Sequence, residues 1–145
     1  MGKRKQSLTS QSRREETKDV AEAKNLSDRF ISISFKYFCD VDDVGQSIDT
    51  WSKEGVLKDL FDKLIYITKN GITEVMSSGI LVNYRRFPET ALCDFTCPEN
   101  LSKDDDWGVI KYIGGQKRRV AGFLKNNIFY IVFLDRDHKF WKVTR

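Results

Sequence analysis

The 145-residue sequence predicts an α+β domain in which two helices pack on one face of a small antiparallel sheet. Three observations carry this expectation. "FISISFKYF" (30–38) alternates apolar and polar residues as a half-buried strand does. From Ser47 onward Trp51, Leu57, Leu60, Phe61, Leu64 and Ile65 recur at helical spacing. The last third then holds three apolar runs, "WGVIKYI", "RRVAGFL" and "IFYIVFL", joined by the turn-like "GGQK" and "KNN".

Each element follows in chain order. Residues 1–28 read as a flexible basic N-terminal extension with too few apolar residues to offset the entropy of ordering, although "REETKDVAEAK" has the composition of a helix that forms against a partner. The domain proper spans 29–145. After the first strand, "CDVDDVGQS" is an acidic loop, and one long amphipathic helix runs from Ser47 to the stop signal Asn70-Gly71. A second, short helix begins at Thr73 and ends at Gly79. The middle offers two short strands, at 80–84 and 91–97, on either side of "RRFPE". The final strand is apolar at every position from Ile128 to Leu134, so both its faces should be covered and it belongs inside the sheet, with helices on one side. A chain of this length and 40% hydrophobic content suits one core.

Composition narrows the function classes. No stretch approaches the roughly 18 continuous apolar residues of a membrane span, and no apolar run follows the basic start "MGKRKQ", so a cytoplasmic protein without a secretory signal is expected. Cys39, Cys93 and Cys97 make neither an even disulfide set nor a CxxC pair and read as thiols acting as small hydrophobes. With one histidine in the chain, no metal site is expected, and the four adjacent residues of "DRDH" are too close together to wrap an ion. No small-molecule cofactor is implied.

The net charge of +4 conceals a segregation. Residues 1–29 hold eight Lys/Arg against five Asp/Glu, residues 30–106 eight against fourteen, and residues 107–145 nine against two. A basic C-terminal block interleaved with Trp107, Tyr112, Phe123, Phe129, Tyr130, Phe133, Phe140 and Trp141 has the makings of a surface that attracts phosphates and stacks bases.

"FKYF" near the start, and the final hairpin with its RV-x-GF (Arg119–Phe123), F-Y-I-V-x-LD (Phe129–Asp135), the Asp137-His138 pair and a following aromatic, resemble a group of small bacterial proteins similar to the RelE/ParE-like toxin superfamily. The likeness in element order, β-α-α-β-β-β, covers about residues 30–141; in sequence it is specific only in the hairpin. It implies a toxin that enters the ribosome and cuts messenger RNA without a metal, the RNA 2′-hydroxyl being the nucleophile. It also implies a cognate antitoxin protein. Such chemistry needs a base, cations for the phosphorane and an acid for the leaving oxygen. The matching positions are Lys111, Arg118 or Arg119, Arg136, His138 and Lys139, with Phe140 or Trp141 stacking on a base.

Side-chain alternation sets Arg119, Ala121 and Phe123 on one face and Arg118, Val120, Gly122 and Leu124 on the other, and the RV-x-GF match favours Arg119. Arg119, His138 and Lys111 are thus the catalytic candidates. Lys117, Arg118, Arg136 and Lys139 would add affinity for RNA. Against these stand plainer roles: a strand-end histidine that only packs, an Arg119 ion pair with Asp135 or Asp137, and Phe140 and Trp141 closing the core. A non-catalytic module that binds nucleic acid or gyrase is the competing function.

Overall fold

The computed structural model describes residues 29–142, so the N-terminal extension 1–28 lies outside the described residues. In order come β1 (Ser32–Ser34), α1 (Ile48–Lys53), α2 (Leu57–Lys69), α3 (Ile72–Ser77), β2 (Leu81–Asn83), a 3₁₀ turn (Thr90–Leu92), β3 (Asp106–Ile110), β4 (Arg119–Lys125) and β5 (Ile128–Asp135). The five strands form one sheet in the order β1-β5-β4-β3-β2. The meander is antiparallel throughout, but β1 pairs in parallel with β5, Ile33 opposite Phe129. The sheet is therefore mixed rather than antiparallel. The long connection through the helices and the meander lets β1 approach the outer edge of β5 in that direction.

Two elements differ from their sequence reading. The first strand is only three residues long, because the chain turns at Phe35, whose carbonyl accepts from the Phe38 N–H at 3.0 Å. The single long helix is two. Gly55, at φ +74°, sits just past α1; its N–H donates to Ser52 O, and the Val56 N–H to Trp51 O, both at 3.1 Å. This paired capping by a left-handed glycine ends a helix at no side-chain cost. At the other end, Ser47 Oγ accepts from the Thr50 N–H, and Asp42 in turn accepts from the Ser47 N–H at 2.8 Å, so the acidic loop serves as the cap of α1. The stripe of α2 also shifts: Leu60, Leu64 and Ile67 are buried, whereas Phe61 and Ile65 are 56% and 48% exposed. Spacings of four and three select the inward face, and 61 and 65 fall one residue around it.

The short helix lies at Ile72–Ser77, one residue earlier than read, and of the two short middle strands only the first forms, as β2. Residues 91–97 are instead the end of the 3₁₀ turn and irregular chain. Asn126 and Asn127 both have positive φ, 52° and 61°, giving the two-residue hairpin that "KNN" predicts. The fourth position of RV-x-GF has a physical reason: a Cβ on Gly122 would stand 1.9 Å from Tyr130 O, and on its cross-strand partner Gly108 2.2 Å from Val82 O. Beside Gly122 the β4–β5 register slips, leaving Val132 as the extra residue between Ile131 and Phe133.

Instead of the one core expected, two clusters cover the two faces of the sheet. Trp51, Leu60, Leu64, Ile67 and Val75 of the helical layer pack on Ile110, Val120, Phe129, Ile131 and Leu134. On the opposite face Phe87, Cys93 and Phe95 from the 84–105 connection, with Phe140 after β5, pack on Trp107, Phe123, Val132 and Phe133. Each fully buried large ring contributes on the order of 4 kcal/mol by area. The interior strand β5 is thus covered on both faces, as its unbroken apolar run predicts.

Candidate functional site

The chain leaving β5 makes a tight turn built on one carboxylate. Asp135 is fully buried and accepts from the backbone N–H of Lys139 at 2.9 and 3.1 Å and of Phe140 at 3.0 Å. Closing the turn puts His138 at φ +58°. Left-handed backbone is uncommon for a side chain other than Gly, with Asn, Asp and His the residues that accept it best. Burial raises the Asp135 carboxyl pKa, opposed by the two N–H groups, Arg119 and His138.

Arg119 opens β4 directly across from Asp135. It is only 4% exposed, and its N–H groups donate to Lys117 O at 3.2 Å and Gln116 O at 3.3 Å. Burial lowers its pKa, while Tyr84, Asp135 and Tyr112 pull it back up. The cation is therefore a buried charge beneath the surface rather than a projecting arm. Arg118, on the opposite face as alternation predicts, lies over the Trp51 ring at 5.7 Å and 3.9 Å from Glu54.

His138 lies close enough to Arg119 and Lys111 for both positive charges to disfavour its protonation. Burial is the largest cause of its lowered pKa, with a Trp141 backbone hydrogen bond and Asp135 opposing. The β3–β4–β5 register sets the end of β3, after which Lys111 follows, beside the start of β4 at Arg119 and the end of β5 at Asp135, with His138 in the turn beyond. Lys111 stands just beyond β3 rather than on it, its N–H donating to Ile80 O at 2.8 Å.

The remaining candidates divide. Lys117 and Lys139 are exposed at the edge of the cluster, and both hold down the Asp137 carboxyl after its main cause, the Arg136 hydrogen bond. Arg136 is tied to Glu54 at 2.5 Å and to Asp137 at 3.3 Å. Phe140 is 0% exposed among Phe87, Trp107 and Phe133, so the ring expected to stack on a base belongs to the core instead. Trp141 stacks on Tyr84, with centroids 4.1 Å apart and rings 12° from parallel, and the Arg86 guanidinium lies 5.9 Å from its ring.

Sequence reasoning missed Tyr84, Arg85 and Arg86, and gave Tyr112 only as one aromatic of the basic block. Tyr84 and Tyr112 both act on the Arg119 charge, and burial, the larger cause, raises the Tyr84 phenol pKa. The available signal was the adjacent pair Arg85-Arg86 in an otherwise acidic segment. Backbone strain marks the same place. Besides the two hairpin asparagines, the non-glycine residues with positive φ among those described are Arg85 (70°), Tyr112 (63°) and His138 (58°). All three are within or next to this cluster, and such conformations persist where surrounding structure enforces them.

Gln46, also missed, supports the site from behind. Buried at 5% exposure, its Oε1 accepts from the Trp51 indole at 3.2 Å and from the Arg136 N–H at 2.8 Å, joining α1 to the turn after β5.

The three cysteines are free thiols, their pKa values raised by burial, Cys93 to about 11. A cavity of about 370 Å³ lies elsewhere, between Cys39, Val44, Phe95, Cys97 and Phe133, with Asp43, Asp94 and Glu99 at its rim. That acidic rim repels phosphate, so the cavity is not part of the basic cluster's chemistry. Among the described residues no group of three or more His, Cys, Asp or Glu side chains is arranged to hold a metal ion, and no helix is long and apolar enough to cross a membrane. No family model, no curated protein and no solved structure matches the chain.

Proposed function

We propose that the protein is a metal-independent endoribonuclease of RelE-like toxin type that cuts messenger RNA on the ribosome. The observation that carries the reading is the meeting of His138, Lys111 and Arg119 with Tyr84 and Tyr112 at the ends of β2, β3, β4 and β5. Its lowered pKa keeps His138 neutral near pH 7, the state in which a ring nitrogen takes the 2′-hydroxyl proton. The 2′ oxygen then attacks phosphorus, the bond to the 5′ oxygen breaks, and a 2′,3′-cyclic phosphate and a 5′-hydroxyl end result. Half-exposed Lys111 reaches the phosphorane oxygens, and buried Arg119 stabilises their charge from below. The Tyr84 phenol, whose ionisation burial opposes and the neighbouring Arg119 charge favours, is the proton donor for the leaving oxygen. An antitoxin would cover the basic surface, and such a protein acts in the cytoplasm.

A second reading, a binding module without cleavage, is favoured by the engagement of Arg118 and Arg136 with Glu54 and by the aromatic cluster filling the sheet face opposite the helices. Incubation with translating ribosomes followed by mapping of 5′ ends separates the two. Cuts at a fixed codon position are expected. Ribosome-bound messages that stay intact in the presence of folded protein would leave the binding module as the answer.

A further inference from the structure

The segment Asn83–Phe87 is an arch held at both ends: the Tyr84 N–H donates to Trp107 O and the Phe87 N–H to Lys103 O, each at 2.8 Å. Between these anchors Arg85 takes φ +70°, and its N–H donates to Asn83 Oδ1 at 2.8 Å. A left-handed arginine is unfavourable, and the two anchors and the Asn83 bond hold it there while the residue stays exposed. No ion pair engages the Arg85 side chain among the described residues. Arg86 has its guanidinium carbon 5.9 Å from the Trp141 ring centre and shares one exposed ion pair, with Glu89 at 3.5 Å, which a phosphate displaces easily because such pairs are weak. Tyr84, in the same arch, stacks on Trp141 and acts on the Arg119 charge.

We propose that Arg86, over the Trp141 ring of the Tyr84–Trp141 stack, and its exposed neighbour Arg85 form a second phosphate subsite that takes a neighbouring phosphate of the strand held at His138. This rests on the reading above that the cluster holds an RNA phosphodiester. The ligand is then an oligonucleotide spanning both subsites, and a mononucleotide fills only one. Arginine suits the task because its planar fork binds two phosphate oxygens and stays charged. The positions also explain why two adjacent arginines stand in a segment that is otherwise net acidic.

The test is equilibrium binding of a fluorescent 2′-O-methyl hexaribonucleotide, which cannot be cut, against a 2′-O-methyl dinucleotide, across a range of salt. Arg85→Gln/Arg86→Gln should weaken the hexamer several-fold and make its salt dependence shallower by about 0.7, for the one single-strand phosphate no longer neutralised, while leaving the dinucleotide unchanged. Lys58→Gln, on the outer face of α2, should change neither. Hexamer affinity and salt slope that survive the double substitution, or a wild-type protein that does not bind the hexamer, would overturn the subsite. Hexamer binding that depends on both arginines, with no cutting of unmodified RNA, would sustain the subsite and reject the nuclease reading.

Discussion

His138 shows how one residue carries both strain and chemistry. The Asp135 carboxylate fixes the turn that makes its backbone left-handed, and burial, with Arg119 and Lys111, then holds its ring below its ordinary pKa of about 6.5. A depressed histidine is more readily protonated in the unfolded chain than in the fold. Its contribution to stability is therefore present above about pH 6.5 and is lost as pH falls from there through the folded-state pKa. Denaturant titrations across that window should show stability falling with acid, and His138→Asn, which tolerates the same backbone, should flatten this component. An unchanged slope would mean that the ring is not perturbed. Gly122 is the second decisive residue. With only 1.9 Å between a Cβ and Tyr130 O, Gly122→Ala must push β4 and β5 apart, and a loss of about 3 kcal/mol in chemical unfolding is expected.

Among the elements, the final hairpin was the most legible part of the sequence. Its turn residues, its covered apolar strand and the opposite facing of Arg118 and Arg119 all follow from period-two alternation and turn chemistry. The helical region was less so, because Glu54-Gly55 lies inside a continuous apolar pattern and only the left-handed glycine shows that the helix stops there. Phe140 was misplaced for a related reason. Near a charge cluster an aromatic looks like a ligand surface, and nothing local reveals that Phe87 and Phe95, some fifty residues earlier, cover that face. The site's other half was hidden likewise, since Tyr84 reaches Arg119 through the pairing of β2, far earlier in the chain, with the meander. Gln46 illustrates the long-range tie between elements: Gln46→Leu leaves the Trp51 indole N–H and the Arg136 N–H without their acceptor and should cost about 1–3 kcal/mol, read as a shifted unfolding midpoint.

For the whole molecule, the mixed sheet separates two kinds of burial: helices on one face, and irregular, aromatic-rich chain on the other. The second layer brings both the C-terminal turn and the Arg85-Arg86 arch to the same end of the sheet. Charge follows the same division. The acidic run 104–106 stands at the start of β3, the end remote from Lys111, while Arg118 and Arg136 face Glu54 and Arg119 faces the candidate cluster. The cluster is proposed to cut RNA through the RNA's own 2′-hydroxyl, and one digestion tests this directly. On ribosomes, one message and the same message carrying 2′-deoxy sugars at the cut positions are digested, and the ends are identified chemically. The expected result is 2′,3′-cyclic phosphate ends from the unmodified RNA alone, lost in His138→Asn at an unchanged unfolding midpoint at neutral pH; equal cutting of the deoxy substrate, or none of either, would contradict the proposal.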